Sequence, residues 1–168
     1  MIKKILLALL VLLLIIQFFK PEKNESDDRT ADISTKYEVP EKVTLILKNA
    51  CNDCHSNRTR YPWYANVQPV AWWLDEHIKD GKRGLNFSEF VNLPIAVQNH
   101  KFDEISEVIE ENEMPLASYT YLGLHPDAKL SEEEKDELKS WARNQMALLK
   151  ATYPADSLVM KRRKKTAD

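Results

Sequence analysis

Both cysteines of this 168-residue chain fall in one pentapeptide, Cys51-Asn52-Asp53-Cys54-His55. A disulfide between them would cross-link a single turn and leave His55 without a role. C-x-x-C-H is the attachment pattern for c-type haem. Two intervening residues let both sulfurs span one porphyrin edge and add to its vinyl groups. The next residue, an imidazole, then reaches the iron from the same side. Other chemistries fit less well. A redox dithiol expects a βαβ context, whereas these flanks read as polar and helical. A structural zinc site wants four ligands, usually from two knuckles, and His77, His100 and His125 are scattered singly. The expectation is one haem c per chain, held by Cys51 and Cys54, with His55 as the proximal iron ligand.

The N-terminus carries Lys3 and Lys4 ahead of the run Ile5 to Phe19, apolar except for Gln17 and closed by Lys20-Pro21. This run is shorter than the roughly 20 residues that span a bilayer. Flanking lysines can snorkel to extend it. Bulky Phe18 and Phe19 offer no small-residue cleavage site. Residues 1–20 therefore predict an uncleaved single-pass anchor in a bacterial inner membrane. Its lysines would face the cytoplasm and the remaining chain the periplasm, where covalent haem attachment takes place. Residues 21–36 are polar and acidic and read as a tether. Residues 37–155 suit one domain that needs a cofactor to help fill its core. Residues 156–168 form a tail containing Lys161-Arg162-Arg163-Lys164-Lys165. With a net charge of −2, the chain gives no support for nucleic-acid binding.

Three glycines in the whole chain and few strand-like runs predict an all-α domain. A helix from Pro40 or Glu41 to Ala50 shows an apolar stripe at Val43, Ile46, Leu47 and Ala50, and runs straight into Cys51. A second is expected over Val70–Asp80, stopped by Gly81. Asn86 with Glu89 resembles a cap opening a short helix that ends at Pro94. Another runs from about Lys101 to Asn112, with Phe102, Ile105, Val108 and Ile109 inward. The last starts at Ser131, where Ser131 and Glu134 form a capping box and Leu138, Trp141, Ala142 and Leu149 share one face.

An iron held by His55 has a sixth position to fill, and a methionine thioether there raises the reduction potential. Met114 follows a helix, is held by Pro115, and precedes the loop Leu116–Leu130. It is the candidate distal ligand. His77, His100 and His125 are the rivals, and bis-His ligation would lower the potential. The aromatic stretch Tyr61-Pro62-Trp63-Tyr64 with Trp72-Trp73 reads first as core packing. Its alternative is a set of rings against the porphyrin edge, with Arg58 or Arg60 reaching the propionates.

Taken together, C-x-x-C-H after a helix and Met-Pro before a capped helix resemble the mono-haem cytochrome c fold. More closely, CNDCHSNRTRYP, WYANVQPVAWWLDEHI and LNFSEF resemble the small bacterial haem-binding-domain family over about residues 1–145. The resemblance implies a c-type haem domain behind a membrane anchor, with Cys51, Cys54 and His55 as attachment and proximal residues. It also implies Met114, within EMPLASY, as the distal ligand. A membrane-tethered electron carrier serving redox partner proteins is the expected function. A haem-based sensor or a peroxidase-like enzyme are the alternatives.

Overall fold

The computed structural model describes residues 1–121 and 124–160, and the basic run 161–165 lies outside them. Every regular element among the described residues is helical, with no strand. These residues hold seven α-helices: α1 Ile2–Ile16, α2 Glu41–Ala50, α3 Asn52–His55, α4 Val70–Gly84, α5 Ile95–Glu110, α6 Ala117–Thr120 and α7 Glu132–Thr152. Short 3-10 turns, among them Trp63–Asn66, Phe87–Asn92 and Pro126–Ala128, make the corners.

The core lies where α5 and α7 run against each other and α2 packs across α7. Phe102, Ile105 and Ile109 of α5 meet Leu138, Trp141 and Leu149 of α7, with Val43, Ile46 and Leu47 of α2 closing the third side. These are the stripes that helical periodicity selects. Trp141 satisfies its buried ring N–H by donating to the Glu38 carbonyl at 2.9 Å, which ties the last helix to the entry of α2. The Ser131–Glu134 capping box forms as the sequence indicates. Asn86 caps the 87–92 turn: its side chain accepts from the Ser88 N–H and its carbonyl from the Glu89 N–H.

Two helix limits differ from expectation. Helix α4 continues through Gly81 to Gly84, for a reason that belongs to the site below. Helix α5 begins at Ile95, six residues early, with Pro94 as its N-cap. The residue that hides this start is Gln98. It is buried, accepts from Tyr37 Oη and Lys36 Nζ, and donates to the Val91 carbonyl, so a polar side chain occupies a core position.

The N-terminal segment overturns the expected anchor. Helix α1 has 15 residues, which at 1.5 Å per residue is about 22 Å, against a hydrocarbon core of about 30 Å. Among the described residues no helix is long and apolar enough to cross a membrane. The single-pass inner-membrane anchor expected over residues 1–20, and the periplasmic placement built on it, are therefore corrected. The segment that follows α1 lies along the domain. Gln17 and buried Gln68 exchange hydrogen bonds at 2.9 and 3.2 Å. The Asn24 amide donates to the Ser56 carbonyl at 2.8 Å and to Thr59 Oγ1 at 3.0 Å. Ile33 enters the core itself.

Candidate functional site

Helix α2 ends at Ala50 and Cys51 caps the one-turn α3, so both thiols and the imidazole sit on a single turn. That turn presses against α4. A Cβ on Gly81 would lie 2.6 Å from the Cys54 carbonyl oxygen and 3.0 Å from Cys54 Cβ. Only glycine permits the approach, which is why the helix runs on: Gly81 is a contact point for the pentapeptide, not a stop. The chain leaving α4 then places the Leu85 carbonyl 3.0 Å from His55 Nδ1. A carbonyl only accepts, so Nδ1 carries the proton and donates, and Nε2 keeps its lone pair. Burial holds the His55 pKa below its ordinary value, partly offset by the hydrogen bond to Leu85. This is the second-sphere arrangement that orients a metal-binding histidine.

The thiols are half-buried and unbridged. Burial pushes Cys51 up to about 12, with Cys54 adding to the effect. Burial, with the neighbouring Asp53 charge, pushes Cys54 up to about 11. Dithiol redox centres need the opposite, a lowered thiol pKa. Among the described residues no three His, Cys, Asp or Glu side chains come together to hold a metal ion.

On the far wall, α5 ends in a Schellman motif. Asn112 takes the left-handed conformation at φ 58°, its N–H donating to Ile109 O while the Glu113 N–H donates to Val108 O. The turn reverses the chain, and the Met114 N–H also points to Val108 O at 3.3 Å. Met114 consequently packs against the core edge instead of leaving with the loop.

Between these walls lies a cavity of about 600 Å³, and Cys51, Cys54, His55 and Met114 all line it. Leu47, Ile105, Val108 and Leu138 make much of the remaining surface, and Lys101 with Glu104 sits at its polar side. The volume is that of a small-molecule or cofactor site. Apolar walls, two thiols on one turn and an imidazole nitrogen left free fit an iron porphyrin bonded at one edge.

Of the rival ligands, His77 lines the cavity as Met114 does, from α4, one turn before Gly81. His100 Nε2 lies 3.1 Å from Glu104 Oε1, and His125 stacks on Tyr119 at 4.1 Å; neither lines the cavity. Neither reading of the tryptophans holds, since Trp63, Trp72 and Trp73 are exposed and off the cavity. Arg58 pairs with Asp27, and Arg60 pairs with Asp127 and with Asp53, which lines the cavity; neither arginine lines it.

Sequence reasoning passed over Asp53, an unspecified position of C-x-x-C-H. Its carboxylate is buried and accepts from Arg60 N at 2.8 Å, from the Arg60 guanidinium, and from Tyr119 Oη at 2.6 Å. Burial and that hydrogen bond drive the Tyr119 pKa far up, so the phenol stays protonated and donates. Tyr119 in turn lines the cavity.

The profile of the haem-binding domain family matches residues 11–144, most of the chain. The chain belongs to that family. This haem-binding domain is also 25% identical over 126 residues to the cytochrome c peroxidase of Escherichia coli. That stretch is 73% of the chain and 26% of the peroxidase, so the haem-binding domain spans about a quarter of that relative's length. No solved structure matches it.

Proposed function

We propose that this haem-binding domain is a c-type electron carrier with one covalently attached haem. Cys51 and Cys54 would hold the haem through two thioether bonds, and His55 Nε2 and Met114 Sδ would be its iron ligands. The observation that carries the reading is the convergence of these four side chains on one apolar cavity of about 600 Å³. When bound, the haem supplies a one-electron couple between ferric and ferrous iron. The protein's part is to fix that couple. The Leu85 carbonyl holds the proximal imidazole in one tautomer and one plane. The apolar walls of Leu47, Ile105, Val108 and Leu138 keep water from the ring and favour the less charged ferrous state. Redox partner proteins would dock against the charged lining residues Glu76, Asp80 and Lys101.

A second reading, peroxide reduction, draws on the likeness to cytochrome c peroxidase. It requires a vacant sixth position, whereas a thioether side chain lines the cavity here. The two part in one experiment. Produced with the haem c maturation machinery, the protein should keep its haem through denaturing electrophoresis and give low-spin spectra in both oxidation states. High-spin ferric iron with rapid peroxide turnover would replace the carrier by the enzyme.

A further inference from the structure

Residues 115–121 line the cavity through Pro115, Leu116 and Tyr119, next to Met114. Residues 124–130 are anchored by buried Ala128 and Leu130 and by the 126–128 turn on α2. Among the described residues, three polar side-chain contacts join 115–121 and 124–130 to the rest of the chain, and all reach the stretch 53–64. Tyr119 Oη donates to Asp53 at 2.6 Å, Arg60 pairs with Asp127 at 3.5 Å, and Tyr64 Oη meets His125 Nε2 at 2.6 Å. These are not three separate ties. Arg60 also binds Asp53 at 3.1 Å, and the Tyr119 ring lies flat on His125, 4.1 Å away with 10° between planes. Everything converges on one buried carboxylate in the middle of the attachment pentapeptide.

The geometry points to a latch: Asp53, bonded to Tyr119 and braced by Arg60, holds residues 115–121 shut and so keeps the Met114 thioether on the iron. Asp53 is a positioning residue here, and the inference rests on the His55/Met114 reading above. Met114 is fixed on its N-terminal side by the Schellman turn, whose Val108 carbonyl receives its N–H. On its C-terminal side, residues 115–121 make one hydrogen bond beyond the loop among the described residues, that of Tyr119 to Asp53. The short α6 otherwise packs on the 126–128 turn of its own loop. A segment with so few outside bonds is the part of a domain that opens first. Opening it withdraws Met114 while His55, held by Leu85 and the Gly81 contact, stays in place. The sixth position then accepts a small external ligand such as imidazole.

The test titrates imidazole into the ferric holoprotein, followed by loss of the methionine-to-iron charge-transfer band. Tyr119→Phe keeps the stack on His125 and deletes the hydrogen bond to the carboxylate. It should raise imidazole affinity roughly ten- to hundredfold, the worth of a hydrogen bond to a charged group. Arg60→Gln attacks the same carboxylate from the surface and should raise it severalfold, and it carries the test if Tyr119→Phe fails to mature. Phe102→Ala serves as control: it weakens the core, so melting should fall while imidazole affinity holds. Wild-type affinity in both latch variants would overturn the latch, as would an equal rise in the Phe102 control. A wild-type protein with no methionine-to-iron band overturns the His/Met reading instead, so the two failures are distinguishable.

Discussion

The two walls of the cavity are built differently. On the proximal wall, α3 is pressed onto α4 at Gly81, its imidazole is bonded to the main chain at Leu85, and α2 feeds it from the core. On the distal wall, Met114 hangs between a helix terminus and a loop whose polar side-chain ties outside itself, among the described residues, run to the stretch 53–64. The difference teaches where this domain has freedom. The attachment side is fixed by backbone contact, which no side-chain motion can relax. The ligand side is fixed by main-chain bonds only up to Met114; beyond it, residues 115–121 are held by a side-chain bond, which can break alone. On the proposed reading, such a domain would keep its haem bonded and could still exchange what sits across the ring.

The largest expected effect breaks the proximal wall covalently. Cys51→Ala with Cys54→Ala should abolish haem retention on denaturing gels while leaving the helical circular dichroism. Next comes Gly81→Val. Its Cβ meets the Cys54 main chain at 2.6 Å, so α3 and α4 must separate, at a cost of about 1–3 kcal/mol. Thermal melting should register that loss, and covalent haem yield should fall with it. The distal wall should answer otherwise: Met114→Ala should leave melting within about 1 kcal/mol of wild type, yet drop the reduction potential in a redox titration. Should Gly81→Val and Met114→Ala behave alike, the contrast between the walls is wrong.

How much of this was legible before the structure follows the same division. The pentapeptide, the stripe of α2 and the cap of α7 announce themselves because their signals are local. Gly81 does not, since a glycine near a helix end looks like a stop, and its partner Cys54 is distant in sequence. The start of α5 is hidden by Gln98, a buried polar side chain that interrupts the apolar stripe. Asp53 is hidden by the motif itself, which leaves its position free. The expected anchor failed on length, since an apolar run has to be long as well as apolar.

A smaller effect sharpens the proximal side through pH. In the haem-free protein, Cys51 near 12 and Cys54 near 11 stay protonated at neutrality. At pH 8 their alkylation by iodoacetamide should run about a hundredfold or more slower than that of an ordinary thiol. The rate should climb about tenfold per pH unit toward pH 10. The histidines run the other way. Burial lowers the native pKa of His55 and of His125 below 6.5, so the unfolded chain binds more protons there. Stability of the haem-free domain is thus whole above about pH 6.5 and is lost as pH falls through the lower native values. Urea midpoints at pH 7.5 and at pH 5 should show that decline, and His125→Phe should flatten it.

The ferric absorption spectrum of the intact holoprotein tests the central claim most directly. His55 and Met114 on opposite faces of one haem predict a weak methionine-to-iron charge-transfer band in the far red, absent in Met114→Ala. A low-spin spectrum unchanged by Met114→Ala would contradict the account, because some other side chain would then complete the iron.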